Sequence, residues 1–292
     1  MAEATVRLSF FGDEVADDLD AQLRVARDLK IGYLELRGVW GKNVLHLTDE
    51  EVQTIGQRCA AAGIAISAIG SPVGKSPLAQ PPEIEQANLR RIFEIADRLG
   101  VRRVRVFSFY PPNTSSNAHY DQYVPDAAAR LAWLTDMASS AGKLLLLENE
   151  KEIVGDTVAR CHQLLTRVGS AHLQFAWDPA NFVQVGEAQA VTDGWPLLGS
   201  YVAHVHVKDA RLADGKVTPA GEGDGQVSLL LAQLNQSGFD GFLALEPHLA
   251  IAGHSSGFSG PEGMRRAAAA LRGLMADVGM VESAPDWAQT PG

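Results

Sequence analysis

Eight short runs of β-branched or apolar residues recur along this chain, and longer segments with helical spacing lie between most of them. The runs are VRLSFF (6–11), GYLELRGV (32–39), IAISAIG (64–70), VRRVRVFSF (101–109), KLLLLEN (143–149), HLQFAWD (172–178), VAHVHVK (202–208) and GFLALEP (241–247). Between them come LDAQLRVARDLK, TDEEVQTIGQRCAAAG, EIEQANLRRIFEIADRLG, AAARLAWLTDMASSAG, TVARCHQLLTRVG and VSLLLAQLNQSG, and PEGMRRAAAALRGLMADVG follows the last run. Apolar residues recur in these segments at the spacing that gives a helix one buried face. Gly63, Gly100, Gly142 and Gly238 close four of them, where a left-handed residue commonly caps the last turn. Asp49 and Glu50 after Thr48 suit a helix start, because carboxylates favour the positive end of the helix. Residues 179–200 carry little apolar periodicity, so a short or irregular helix is expected there.

Strand–helix alternation without a linker favours one α/β domain, a single (β/α)8 TIM barrel. The rival is a doubly wound open sheet, which usually carries GxGxxG after its first strand; that motif is absent here. GEGDG (221–225) comes late, lacks the third glycine of that fingerprint, and is read as a mobile loop. The barrel is expected over residues 1–282, and the tail SAPDWAQTPG (283–292) is expected to be disordered.

Composition removes several classes of function. Apolar residues make up 46% of the chain and charged residues 21%, enough for a sizeable core. The formal net charge of −10 argues against a non-specific nucleic-acid surface, which needs a basic stripe to displace phosphate counterions. Cys59 and Cys161 lie far apart on amphipathic segments, so no disulfide framework is expected and a reducing cytoplasm fits. The start MAEATVRLSFFGDE does not read as a signal peptide. No apolar run approaches the roughly 18 residues of a membrane span.

In a barrel, successive strand residues alternate between the interior and the surrounding helices. Val205 and Val207 would then face the helices, with His204 and His206 facing inward. By the same parity Leu243 and Leu245 face out and Glu246 in; Leu145 and Leu147 out and Glu148 in; Phe175 and Trp177 out and Asp178 in. Each polar residue falls at or near the C-terminal end of its strand, where barrel enzymes carry their chemistry. Consecutive strands therefore deliver Glu148, Asp178, His206 and Glu246 to one mouth. Three carboxylates converging on a buried site repel one another, and a divalent cation removes that conflict. Oxygen donors with one imidazole and no thiolate suit Mn2+, Mg2+ or Co2+ better than a structural Zn2+. His206, nearer the mouth, is the expected ligand, and His204, one layer deeper, its hydrogen-bonded neighbour.

ENE (148–150), WDPAN (177–181), HVHVKD (204–209) and LEPH (245–248) resemble the marks of the xylose isomerase-like TIM barrel superfamily. This superfamily includes ketose 3-epimerases, hydroxypyruvate isomerase, inosose dehydratase and endonuclease IV. The resemblance runs from the fifth strand to the end of the chain, with a weaker echo in YLELRG. It implies one divalent metal held by Glu148, Asp178, His206 and Glu246, Mn2+ foremost, with Mg2+, Co2+ or Zn2+ as alternatives. It also implies two glutamates, Glu148 and Glu246, on opposite faces of a sugar or polyol substrate. Two positions depart from the pattern. Asn181 stands where epimerases and endonuclease IV often carry a histidine. Leu212, beside Arg211, stands where epimerases carry an arginine.

What the resemblance implies chemically is enediolate chemistry on a keto-sugar or related hydroxy-ketone. A divalent ion acts as a Lewis acid toward a carbonyl and its neighbouring hydroxyl. One glutamate removes the activated C–H proton, giving a cis-enediolate. The other returns a proton to the opposite face, as in an epimerase, or to the neighbouring carbon, as in an isomerase. Expulsion of a β-hydroxyl gives dehydration instead. Arg37, Asn181, Lys208, Arg211 and His248 are the candidate substrate contacts. Trp40 and Phe109 are candidates for stacking on a sugar ring; Glu35 and Arg105 fall on the inward parity of their strands, where a buried structural pair between them is the alternative to a functional role.

The principal alternative is a metal-dependent lyase or dehydratase, acting on an inosose or by β-elimination from a keto-glycoside. An endonuclease IV-like nuclease needs a histidine-rich cluster of three metals and a basic surface, whereas FSFYPP ends the fourth strand without histidine. A non-catalytic ligand-binding barrel would tolerate loss of the metal residues, yet all four are present. A homo-oligomer is compatible with the resemblance, although no interface signature stands out; no nucleic-acid or membrane partner is expected.

Overall fold

The computed structural model describes residues 4–112, 117–249, 259–283 and 285. Its central sheet runs β1 (Thr5–Phe11), β2 (Tyr33–Leu36), β3 (Ala65–Ile69), β4 (Arg103–Val106), β5 (Leu144–Glu148), β6 (Leu173–Trp177), β7 (Val202–Val207) and β8 (Phe242–Leu245). The strands pair in parallel in this order, and β8 returns to β1 in a register from Arg7↔Phe242 to Phe10↔Leu245. The sheet is therefore closed, a single (β/α)8 barrel. A short strand, Val281–Glu282, extends the sheet beside the start of β1.

The helices are α1 (Leu19–Asp28), α2 (Asp49–Ala62), α3 (Pro82–Arg98), α4 (Val124–Ser140), α5 (Val158–Val168), α6 (Pro179–Gln184), α7 (Ala190–Leu198), α8 (Val227–Ser237) and α9 (Gly260–Asp277). Local chemistry sets their ends. Thr48 and Glu51 form a reciprocal capping box at the start of α2, and Gly63 closes it in the left-handed conformation. The weakly periodic stretch 179–200 becomes two short helices, α6 and α7, rather than one.

The second predicted strand was too long. It ends at Leu36, and Gly38–Val39 pairs back on Lys42–Asn43 as a small hairpin. Its turn residues Trp40 and Gly41 both have positive φ, 54° and 69°, as a tight hairpin turn requires.

Two apolar clusters bear out the strand parity. Leu145, Leu147, Phe175, Trp177, Val205, Val207, Leu243 and Leu245 belong to the large core between strands and helices. Ala68, Leu146 and Ala176 form a separate, small inner cluster. Buried polar groups, among them Ser9, Glu35, Ser67, Arg105, His204 and His206, share the barrel interior with these and with Phe11 and Phe242. At one end of it, Arg7 and Arg103 stack on Phe242 at 4.8 and 5.0 Å.

The GEGDG segment, expected to be a mobile loop, is anchored instead. The amides of Ala210, Gly221, Gly223 and Gly225 all donate to the Asp209 carboxylate, at 2.8–3.1 Å. A Cβ on Gly223 would lie 2.5 Å from Asp209 Oδ1, so the loop needs glycine to close this tightly. Of the predicted tail, residues 284 and 286–292 lie outside the described residues. Among the described residues no helix is long and apolar enough to cross a membrane.

Candidate metal centre

The four residues expected to meet do meet. Ligand atoms of Glu148, Asp178, His206 and Glu246 all lie within 4.8 Å of one another, and all four residues are buried. Strand geometry supplies Glu148 as the last residue of β5 and His206 near the end of β7. Asp178 follows β6 as the N-cap of α6, where its Oδ1 accepts the Asn181 amide at 3.0 Å. Glu246 follows β8 directly, its amide donating to Val207 O at 3.2 Å. Asn149 locks two of these elements together: its side chain accepts from the Asp178 amide and donates to the Asp178 carbonyl, both at 2.9 Å.

His206 is held from both sides. Its Nδ1 lies 2.8 Å from Glu148 Oε1 and its Nε2 lies 3.3 Å from Glu35 Oε1. His204, one layer deeper, meets the other oxygen of Glu35 through Nε2 at 2.8 Å. Burial alone would depress the pKa of His206, but Glu148 and Glu35 outweigh it and push the imidazole up to about 10. At Glu35 burial is outweighed in turn by the two imidazoles, which hold the carboxyl well below its usual range.

Phe11 lies against the same group, edge-on to His206 at 5.0 Å, with the guanidinium groups of Arg37 and Arg105 over its ring at 4.6 and 5.2 Å. Glu35 and Arg105 do not pair. Both Glu35 oxygens are taken by imidazoles, and Arg105 lies at the level of Glu148, its Nη1 3.3 Å from Oε2.

Glu246 is gripped from the side. Arg37 donates to Glu246 Oε1, Asp13 Oδ2 and Glu14 Oε1, the last two at 2.8 and 2.9 Å. Lys208 reaches in from beyond β7, with Nζ 2.8 Å from Asp178 Oδ2 and 3.4 Å from Glu246 Oε2. Burial would raise the Glu246 carboxyl, but Lys208, His248 and Arg37 hold it well below the normal value. At Asp178 burial wins: the carboxyl is raised, with Glu148 and Glu246 adding to the rise and Lys208 opposing it.

Above the four residues opens a polar cavity of about 140 Å³. Arg37, Lys208 and His248, three of the candidate substrate contacts, line it. Two other candidates do not. Arg211 is exposed and turned to Asp214 at 2.7 Å, and the buried Asn181 side chain donates to Asn149 O at 2.8 Å. Both find partners closer than the mouth. Phe109 is fully buried in the outer core, and Trp40 packs against that core at its hairpin, so neither forms a stacking wall.

Sequence reasoning missed Lys75, Glu150 and Lys151, which also line the cavity, with Glu150 between the two lysines at 2.9 and 3.5 Å. It also missed Glu14, which accepts from Arg37, Ser259 and the His248 amide. Lys75, Glu150 and Lys151 sit in loops and Glu14 in the 3-10 turn Gly12–Glu14 after β1, where strand parity gives no signal.

The donor set suits a hard or borderline divalent cation. Glu148 Oε2, Asp178 Oδ2 and His206 Nδ1 are buried and form no well-aligned hydrogen bond among the described residues; their near partners are the charged groups of Arg105, Lys208 and Glu148, at 3.3, 2.8 and 2.8 Å. Three buried polar atoms of one candidate ligand set, held by charge but without a well-formed hydrogen bond, are what a bound cation would satisfy. Two further groups, Glu35–His204–His206 and Glu14–Glu246–His248, bring ligand atoms equally close. Each offers three residues against four, and in the first of them Glu35 already holds both imidazoles.

The chain matches the model of the xylose isomerase-like TIM barrel family over residues 23–274. No curated protein matches it. Among solved structures, the fold is similar to a D-tagatose 3-epimerase-like protein, with a TM-score of 0.74 at 16% identity over 94% of this chain and 98% of the other. It is similar to the IOLI protein with a bound zinc atom, with a TM-score of 0.75 at 16% identity over 94% and 99% of the two chains. It is also similar to AsbF, a probable 3-DHS dehydratase from Bacillus anthracis, with a TM-score of 0.69 at 15% identity over 92% and 99%. The family model covers most of the barrel, and the chain belongs to the xylose isomerase-like TIM barrel family.

Proposed function

We propose that this protein is a divalent-metal-dependent sugar isomerase or epimerase, acting on a keto-sugar or related hydroxy-ketone through a cis-enediolate. The observation that carries the reading is the convergence of Glu148, Asp178, His206 and Glu246 beneath a polar cavity. These four would hold the ion, with Mn2+ the metal of first choice. Bound there, it would supply Lewis acidity toward a substrate carbonyl.

The rest of the chemistry falls to the chain. Glu148 and Glu246 are the acid–base pair. Arg37 fixes the carboxylate plane of Glu246, and Arg105 stands beside Glu148, so both carboxylates are oriented before substrate arrives. Lys208 and Arg105 bring positive charge to the cavity where an enediolate oxygen develops negative charge. His248, on the cavity wall, is the remaining candidate for a substrate hydroxyl. Cys59 and Cys161 are free and buried, which suits the reducing cytoplasm, where we expect the enzyme to work.

One observation favours a lyase as the second reading. Leu212 is exposed and Arg211 faces Asp214, so neither reaches the mouth as the epimerase arginine would. Incubation of the Mn2+-loaded protein with a panel of ketoses in D2O separates the outcomes. Deuterium at the carbon beside the carbonyl, with the carbon skeleton and all hydroxyls kept, supports the isomerase. Loss of water or an aglycone supports the lyase. Absence of metal binding would refute both.

A further inference from the structure

Lys208 lines the cavity beside the candidate ligands, and its side chain is only 7% exposed. Asp178 Oδ1 is occupied by the Asn181 amide and Glu246 Oε1 by Arg37. That leaves Asp178 Oδ2 and Glu246 Oε2, and these are the two oxygens the Lys208 ammonium contacts, at 2.8 and 3.4 Å. A cation bound by Asp178 and Glu246 therefore draws on the oxygens that Lys208 already holds.

We propose that the Lys208 ammonium competes with the divalent cation for Asp178 and Glu246, and so sets the metal affinity of the centre. The inference rests on the metal-dependent reading above and adds a role for Lys208 that precedes any contact with substrate. Two like charges on one pair of buried oxygens repel strongly, because little water lies between them to screen the interaction. Glu150, on the wall of the same cavity, gives the ammonium an alternative partner when the ion enters. Without either cation, Glu148, Asp178 and Glu246 would face one another with less compensation. Lys208 thus stabilises the metal-free centre and lowers its hold on the ion.

Calorimetric titration with Mn2+ of the wild type, K208M and K208R tests this, with circular dichroism reporting the fold. K208M binds Mn2+ at least roughly tenfold more tightly than wild type, because a repelling charge is gone. K208R keeps the charge and binds no more tightly than wild type. The melting temperature of metal-free K208M falls below that of wild type and recovers on adding Mn2+. K208M that folds only when Mn2+ is present gives the same answer, and K208Q replaces it for the titration. Equal or weaker Mn2+ binding by K208M, with wild type binding normally, overturns the competition and leaves the metal reading standing. No Mn2+ binding by either protein overturns both.

Discussion

Glu35 Oε1 lies 3.3 Å from Nε2 of His206, while the opposite ring nitrogen of His206 points at Glu148. The carboxylate therefore keeps a proton on Nε2 and leaves Nδ1 as the nitrogen that faces the candidate centre. A carboxylate behind a ligating imidazole fixes both its tautomer and its angle. His204 shares the same carboxylate, which is why the buried strand carries two histidines.

Replacing Glu35 by glutamine should weaken Mn2+ binding by about 10- to 100-fold. Titration of the folded variant, checked by circular dichroism, measures this. Unchanged affinity would show that Glu35 does not orient His206.

Glu148→Gln and Glu246→Gln should each abolish measurable turnover, a loss of at least about 100-fold for removal of a general acid or base. Glutamine preserves the shape of each side chain, so the fold is kept, as circular dichroism would show, although loss of a buried ion-pair partner lowers the melting temperature. Wild-type-like activity in either variant would remove that residue from the proposed acid–base pair.

Metal uptake should release protons. His206 is pushed up to about 10 in the protein without metal, so near neutral pH it carries a proton that a ligand must lose. Affinity for Mn2+ therefore rises with pH toward 10. The same shift bears on stability. A histidine with a raised folded pKa contributes stability that is fully present below its unfolded value near 6.5 and is lost as pH rises through 10. The metal-free protein should lose stability across that window, and the metal-loaded protein should not. Titrations in buffers of different ionisation enthalpy, with melting curves at each pH, measure both effects. Proton-free binding would contradict this assignment.

Asp209→Ala removes the acceptor shared by the amides of residues 210, 221, 223 and 225. The expected cost is about 3 kcal/mol, because several amides lose their partner at once. Urea unfolding measures it, and a change within error of zero would mean the loop closes without Asp209.

Strand-level features were legible because the barrel makes side-chain direction a function of parity. Leu145, Phe175, Val205 and Leu243 mark the outer face, and that alone predicted which polar neighbours turn inward. The four-residue convergence follows from the same rule. Loop residues escaped it. Arg211 looked poised beside the mouth, yet a local turn offers it Asp214. Lys75 enters the cavity from the loop after β3, and no periodicity marks it. Parity turns Arg105 inward, but its partner depends on depth along the strand: Glu35 lies a layer below, with the imidazoles, and Glu148 lies level with it. Asp209 and its glycines depended on a contact between a strand end and a loop a dozen or more residues away.

Anomalous diffraction at the manganese edge, from crystals grown with Mn2+, tests the central claim most directly. The expected result is one strong peak bonded to Glu148, Asp178, His206 and Glu246. A peak at Glu35–His204–His206 or at Glu14–Glu246–His248, or none in the barrel mouth, would contradict it.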